Sequence, residues 1–167
     1  MLWNYPMPFV DCVEVKDLVA FYWDKVDAWL EEEEEVFIGP KDPYTRVDTR
    51  KTSRHVEVVI NGQKIADTTN AVMLIETGQP ARYYIPRSDV RIDLLRETDR
   101  VMKSPYKGSA RYYNVEAGGE IAELVAWCYE NPIAESGKIA GHICFPQGKV
   151  AMLVDGIFQE NPKSRWD

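Results

Sequence analysis

The stretch HVEVVINGQKIADT, residues His55–Thr68, determines the fold class. In its first half Val56, Val58 and Ile60 alternate with other residues, and this period of two places them on one face of a β-strand. Asn61-Gly62 follows, and both residues tolerate the positive φ angles of a type I′ turn. The stretch therefore predicts a β-hairpin with one buried face.

Similar signals on the C-terminal side predict more strands and one helix. We expect two further strands, a helix capped by Ser88, a hairpin that turns at Gly118-Gly119 and a hairpin that turns at Gln147-Gly148. Their segments are AVMLIET (71–77), ARYYIP (81–86), SDVRIDLLRETD (88–99), SARYYNVEAGGEIAELVAWCYE (109–130) and GHICFPQGKVAMLVDG (141–156). Many short strands with little helix predict a mainly β fold of two packed antiparallel sheets with one or two short helices.

Length, composition and charge restrict the class of protein. The chain has 167 residues, of which 45% are hydrophobic and 28% charged, and this is typical of a globular protein. The net charge of −7 argues against general nucleic-acid binding, which needs a basic face. No apolar run approaches the roughly 20 residues of a membrane helix, and MLWNYPMPFVDC lacks the features of a signal peptide. We expect a cytoplasmic protein with no nucleic-acid or membrane partner.

The three cysteines argue against a structural zinc site. Cys12, Cys128 and Cys144 form no C-x-x-C pair. Cys128, His142 and Cys144 could supply three ligands, but small buried thiols in a reducing compartment are far more common. We therefore expect no metal and no cofactor.

The N-terminal region repeats part of the C-terminal region. At a constant offset of 124 residues six residues recur without a gap, in the pairs Trp3/Trp127, Tyr5/Tyr129, Pro8/Pro132, Phe21/Phe145, Lys25/Lys149 and Val26/Val150. Sequence repeats indicate repeated structural units, and the aromatic content of residues 18–30 predicts a hairpin there. We expect a partial repeat over 1–38, a linker over 39–53, a complete β domain over 54–160 and a tail over 161–167.

Motifs of the complete domain resemble a bacterial family, the domain of unknown function numbered 427, which also carries an NTP-transferase label. They read NGQKIADTTNAVMLIETGQPARYYIPRSDVRIDLL (61–95), SPYKGSARYY (104–113), AWCYENP (126–132) and IAGHICFPQGKV (139–150). The N-terminal region resembles the tail of a preceding copy. The family's loop usually reads C-P-Y-K-G, and Ser104 stands where that cysteine would be, which removes a thiol role. The resemblance implies a fold similar to the β-tent group, here without the zinc that many of its members hold.

The residues do not support the NTP-transferase label. Nucleotidyl transfer needs two or three carboxylates that hold Mg²⁺, usually as D-x-D after a glycine turn. Gly118-Gly119 is followed instead by Glu120 and Glu123, which lie on opposite faces of a strand. The chain also lacks the phosphate-binding pattern G-x-x-x-x-G-K-[ST].

Basic and aromatic residues concentrate between residues 82 and 111. This segment has eight basic and four acidic residues, a charge of 8 − 4 = +4 within an acidic chain, and a local positive field attracts anions. We expect a module that binds a small molecule or a protein through an aromatic and basic face. The expected ligand-binding residues are Arg82, Tyr84, Tyr106, Lys107, Tyr113 and Trp127. Pairing of the arginines with nearby carboxylates and burial of the tyrosines in the core are the structural alternatives.

Two other functions stay open. Glu76, at a strand end, and Lys107 could act as acid/base partners of an enzyme, which requires that both reach a common point. The N-terminal repeat could instead have a structural or dimerisation role, and this is compatible with a homo-oligomer.

Overall fold

The computed structural model describes residues 2–11, 13–36 and 41–161. Cys12, residues 39–40 of the predicted linker and residues 162–167 of the predicted tail lie outside the described residues. The chain divides into two compact units, Met1–Pro40 and Lys41–Asp167. Within the described ranges, no helix has the length and apolar character needed to cross a membrane.

The first unit is built from short antiparallel strand pairs. Strand β1 (Leu2–Trp3) pairs with β2 (Ala20–Phe21), and β3 (Leu30–Glu31) pairs with β4 (Glu34–Glu35). The predicted hairpin over residues 18–30 is wrong, because its two halves pair with β1 and β4 rather than with each other. Between β2 and β3 the chain makes a 3₁₀ turn at Trp23–Lys25. The rings of Trp23 and Trp29 stack there, with their centroids 4.6 Å apart.

The second unit forms two antiparallel sheets. Its strands are β5 (Val47–Lys51), β6 (Val56–Ile60), β7 (Gln63–Thr68), β8 (Val72–Glu76), β9 (Arg82–Ile85), β10 (Leu95–Ser104), β11 (Gly108–Ala117), β12 (Glu120–Cys128), β13 (Ile143–Cys144), β14 (Ala151–Val154) and β15 (Ile157–Phe158). The larger sheet has the order β10-β11-β12-β13-β9-β8-β5 and the smaller β15-β14-β6-β7. Short 3₁₀ helices span Arg87–Asp89, Ile92–Leu94 and Ala134–Ile139. The prediction of a mainly β fold with antiparallel sheets and short helices is confirmed.

The seven-stranded sheet is buried on both faces at its centre. One face packs against the four-stranded sheet through a large apolar core that includes Val56, Val58, Met152, Tyr83, Ile85, Tyr113, Val115 and Ile143. The opposite face carries a second, smaller core of Val72, Leu74, Tyr84, Ala110, Tyr129, Ile139 and Cys144. The last three residues of β9 are all buried, because successive side chains enter the two different cores.

The two glycine turns predicted from the sequence are present and contact each other. Asn61 and Gly62 have φ angles of 48° and 75°, as the predicted turn between β6 and β7 requires. The β11–β12 turn approaches it so closely that a Cβ atom on Gly118 would lie 2.6 Å from the Asn61 carbonyl oxygen. Asn61 Nδ2 donates to the Ala117 carbonyl at 3.2 Å, and Gln63 Oε1 accepts from the Gly118 amide at 3.1 Å. These contacts fix the ends of the two hairpins together.

The predicted helix over residues 88–99 is wrong. The chain makes two separate 3₁₀ turns and then enters β10 at Leu95. Tertiary pairing outweighs helix formation here, since the Arg91 amide donates to the Ile65 carbonyl at 2.8 Å and Val90 bridges to Ala66. Leu95 then pairs with Val115 across the sheet.

The last predicted hairpin is also wrong, although its turn exists. The Lys149 amide donates to the Pro146 carbonyl at 3.0 Å. Strand β13, before this turn, belongs to the seven-stranded sheet, whereas β14, after it, belongs to the four-stranded sheet. The turn therefore carries the chain between the two sheets whose apolar faces pack together. The stretch predicted as a linker, 39–53, contains β5, an edge strand of the larger sheet.

Candidate functional site

Glu76 and Lys107 form an ion pair at the end of strand β8. Lys107 lies in the loop between β10 and β11, and its ammonium group donates a hydrogen bond to Glu76 Oε2. The two side chains are only 16% and 13% exposed, so this pair is much more shielded than the surface pair Arg96–Glu116, at 52% and 42%. A lysine and a carboxylate that are held together away from water can bind a ligand anion or move a proton.

The loop that carries Lys107 is held by the segment that follows β12. The Lys107 carbonyl accepts from the Ile133 amide at 3.2 Å, and the Tyr106 carbonyl accepts from Ser136 Oγ at 2.9 Å. Gly108, at φ +96°, comes so close to this segment that a Cβ atom would lie 3.3 Å from the Asn131 carbonyl oxygen. These contacts give Lys107 a defined position, as a binding or catalytic group requires.

Four aromatic side chains cluster on one side of the seven-stranded sheet, and two of them, Tyr84 and Tyr129, lie close enough to Glu76 for its charge to raise their pKa. Tyr84, Tyr112, Trp127 and Tyr129 all belong to the smaller core or pack against it, and we call this side of the seven-stranded sheet the aromatic face. Antiparallel pairing aligns three of them, because Tyr112 pairs with Trp127, Trp127 with Cys144, and Cys144 with Tyr84. Trp127 Nε1 donates to the Tyr84 hydroxyl at 3.2 Å, and the Tyr112 and Trp127 rings lie 5.8 Å apart with a tilt of 31°.

Burial keeps the hydroxyl and thiol groups of the aromatic face protonated. It raises the pKa of Tyr84, with smaller contributions from Cys144 and Tyr129, and it raises the pKa of Tyr129, with contributions from Tyr112, Cys144 and Glu76. Burial also raises the pKa of the Cys144 thiol. At neutral pH these groups are therefore hydrogen-bond donors rather than bases or nucleophiles.

The Tyr129 hydroxyl marks an accessible point on this face. Tyr129 is 6% exposed, and its hydroxyl makes no hydrogen bond to any residue in the described ranges. Every fully shielded side-chain nitrogen or oxygen in those ranges does have a partner. The small exposed part of Tyr129 therefore includes its hydroxyl, and Glu76 and Tyr112 lie close enough to affect its pKa.

Two arginines add positive charge to the aromatic face. Arg82 and Arg100 both lie close enough to Tyr112 to lower the pKa of its hydroxyl, although burial, the largest effect, raises that pKa overall. Arg82 Nη1 donates to Oε1 of the buried Gln147 at 3.1 Å, which orients the guanidinium group. The face thus combines aromatic rings with a defined cationic group.

The structure brings four of the six predicted ligand-binding residues together and separates the others. Arg82, Tyr84, Lys107 and Trp127 belong to the aromatic face and its ion pair. Tyr106 lies beside it, where its hydroxyl accepts from the Asp42 amide at 2.7 Å and its ring lines a recess of about 250 Å³. Tyr113 lies in the core on the opposite side of the sheet. The set of six is therefore not a single cluster, because Tyr113 has the strand parity opposite to that of Tyr112.

Sequence reasoning did not assign Tyr112, Tyr129 or Gln147 to the site. Tyr112 could have been found by counting residues back from the Gly118-Gly119 turn, because successive side chains of a strand face opposite sides of the sheet. The irregularity between β11 and β12 shifts their register by two residues, so it does not change which side each residue faces. Gln147 has no comparable signal, because its contact with Arg82 depends on the crossing of the chain between sheets.

Two further groups of polar side chains lie outside the aromatic face. Donor atoms of His55, Glu57 and Asp67 lie within 4.8 Å of one another, which is the spacing of a metal site, but Lys64 donates to both carboxylates. The lysine accounts for the acidic pair without an ion. In the second group, Arg87 donates to Glu130 and to the Tyr113 hydroxyl.

The possible ligand cluster of Cys128, His142 and Cys144 finds no support in the positions of its two cysteines. Cys128 lies in the large core and Cys144 in the smaller one, so the two thiols occupy opposite sides of the seven-stranded sheet. They cannot ligate one ion together.

A comparison with protein families finds one match. The model of a family described as a domain of unknown function (DUF427) matches residues 48–156, which include the whole aromatic face. A search of the curated proteins finds no match.

Proposed function

The chain belongs to the DUF427 family, and we propose that it binds a small planar anion at the aromatic face. The observation that carries the proposal is the Tyr129 hydroxyl, which lies without a partner at the accessible end of a buried side chain. A hydroxyl that solvent reaches, that no protein group engages and that lies near a shielded carboxylate is well placed to bind a ligand.

The charges of the face favour an anion. Arg82, Arg100 and Lys107 contribute three positive charges and Glu76 one negative charge, a balance of 3 − 1 = +2 in a chain whose net charge is −7. An oriented guanidinium group recognises a carboxylate or phosphate through paired hydrogen bonds. The half-buried rings of Tyr112 and Trp127 favour a planar ligand, since ring stacking adds roughly 0.5–1.5 kcal/mol beyond apolar burial.

A matched panel of small aromatic compounds tests both preferences. Benzoate and 4-hydroxybenzoate would be titrated into the full chain by calorimetry, next to the uncharged benzamide and 4-hydroxybenzamide. We expect the acids to bind more tightly than the amides. Arg82→Gln should weaken acid binding roughly 10-fold or more, because a hydrogen bond to a charged group contributes about 1.5–3 kcal/mol.

The control variant is Arg91→Gln. Arg91 is an exposed arginine that pairs with Asp93 away from the aromatic face, so the variant should bind the acids like the wild type. Equal affinity for acids and amides, or a loss of binding in Arg91→Gln as large as in Arg82→Gln, would contradict the proposal.

Acid/base catalysis by Glu76 and Lys107 is a second candidate function. One observation favours it: the two groups are hydrogen-bonded to each other, so both reach a common point. In such a site the ammonium group would stabilise a developing oxyanion while the carboxylate accepts a proton. The chain would be incubated with a metabolite extract, and compounds consumed by the wild type but not by Glu76→Gln would be identified by mass spectrometry. If both proteins consume the same compounds, this role is excluded.

A further inference from the structure

The backbone of the first unit repeats the geometry of residues 126–159. Trp3 pairs with Ala20 in β1–β2, and the residues 124 positions later, Trp127 and Cys144, pair in β12–β13. Hydrogen bonds recur at the same offset. The Leu18 amide donates to Val15 at 3.1 Å and the His142 amide to Ile139 at 3.0 Å. The Lys25 amide donates to Tyr22 at 3.1 Å and the Lys149 amide to Pro146 at 3.0 Å.

The correspondence continues through the hairpin β3–β4 after a shift of one residue. At an offset of 123 residues, the hairpin β3–β4 has the register of β14–β15. The first residue of each turn, Glu32 and Asp155, has a φ angle of 55° or 53°, which is unusual for residues other than glycine. The first unit is thus a second copy of this structural element.

In the second unit this element is covered by strand β9. The outer edge of β13 pairs with β9, through Ile143 with Ile85 and Cys144 with Tyr84. Tyr84 is buried in the smaller core with Ile139 and Cys144 of the element, and it accepts a hydrogen bond from Trp127 Nε1 at 3.2 Å. The second unit therefore shows that a strand such as β9 can cover this element along the edge of β13.

In the first unit the same surface is open. Strand β2, the counterpart of β13, pairs with β1 in a two-stranded sheet, and within the described ranges its other edge has no strand partner. Val19 and Ala20, at this strand, help to line a cavity of about 490 Å³ whose lining is mainly apolar. Trp3, Tyr5, Val15 and Ala20, which line it, are the counterparts of Trp127, Tyr129, Ile139 and Cys144 in the smaller core. Tyr5 is 56% exposed, whereas Tyr129 is 6% exposed.

We propose that the first unit binds an extended peptide strand with the chemistry of β9, two aromatic residues followed by an aliphatic one. The strand would add to the open edge of β2, as in β-augmentation, in which the backbone supplies affinity and side-chain pockets supply specificity. A tyrosine would lie opposite Ala20 and accept a hydrogen bond from Trp3 Nε1, and an aliphatic residue would lie opposite Val19. This inference does not depend on the proposed anion site.

A peptide taken from this chain tests the proposal. Fluorescein-labelled QPARYYIPRS, the sequence of residues 79–88, would be titrated with the full chain and followed by fluorescence polarisation. The protein concentration is kept where light scattering gives a monomer, so that no second copy occupies the edge. We expect saturable binding that Val19→Lys weakens at least about 10-fold, because a charge at this position must be desolvated under the added strand. Val101→Lys, at an exposed position of β10, should bind like the wild type.

Modified peptides make the test independent of the folding of the variant. Two peptides would be methylated on the backbone nitrogen of Tyr84 or of Ile85. Only one of the two should lose affinity, because successive amides of a strand point to opposite sides. Phenylalanine in place of Tyr84 should weaken binding about 2- to 10-fold through loss of one hydrogen bond. Absence of peptide binding, equal binding by Val19→Lys, or equal affinity of the two methylated peptides would overturn the proposal.

Discussion

Replacing Lys107 by methionine should destabilise the second unit far more than replacing an exposed cation. Lys107→Met removes the charge and leaves the Glu76 carboxylate, 16% exposed, without its partner. Removal of one member of a fully buried pair costs about 3–5 kcal/mol. Because solvent still reaches a small part of this pair, we expect a loss of about 2–4 kcal/mol in the free energy of unfolding.

Urea unfolding followed by circular dichroism measures this loss, with Arg96→Met as the matched control. The Arg96–Glu116 pair is about half exposed, and exposed pairs contribute about 0–1 kcal/mol. The double variant Glu76→Gln, Lys107→Met should lose less than the sum of the single variants, by about 1–3 kcal/mol, because it leaves no unpaired charge. If Lys107→Met costs no more than Arg96→Met and the two substitutions are additive, the shielded ion pair does not have the energetic role that we assign to it.

Three other predictions follow from burial and backbone geometry. The free energy of unfolding should fall as the pH rises above about 10, which is the pKa of a tyrosine in the unfolded chain. Burial raises the pKa of Tyr129 in the folded state, so the folded protein keeps a proton that the unfolded chain releases. Tyr129→Phe should make this decline shallower in unfolding titrations. Cys128, whose pKa burial raises to about 11, and Cys144 should react with iodoacetamide much more slowly in the native protein than in guanidinium chloride, and rapid native labelling seen by mass spectrometry would contradict this. Gly118→Ala should cost about 2–4 kcal/mol in urea unfolding, because its Cβ would contact backbone at a positive φ, whereas Gly119→Ala, with open space around it, should cost about 1 kcal/mol.

Local sequence patterns predicted the elements whose causes are local. The alternation of Val56, Val58 and Ile60 and the Asn61-Gly62 turn produce β6 and β7, and Gly118-Gly119 produces the β11–β12 hairpin. The helix predicted for residues 88–99 does not form, because pairing with distant strands outweighs its helical spacing.

The candidate site depends on contacts that no local pattern reveals. Trp127 reaches Tyr84 only because β13, two residues long, lies between β12 and β9. The basic and aromatic composition of the sequence identified the region of the candidate site. Which residues belong to the aromatic face depends on the order of the strands and on the side of the sheet that each side chain faces. Tyr112 therefore joins the aromatic face, whereas the adjacent Tyr113 lies in the opposite core.

The indole N–H signals of the protein test the proposed anion site most directly. The chain has five tryptophans, and Trp127→Phe identifies the signal of the one on the aromatic face. On titration with 4-hydroxybenzoate we predict that the Trp127 signal shifts in a saturable way in ¹⁵N-correlated NMR spectra, that the other four do not, and that Arg82→Gln removes the shift. An unchanged Trp127 signal at saturating concentrations of the acid, or a shift that Arg82→Gln leaves intact, would contradict the assignment of this face as the binding site.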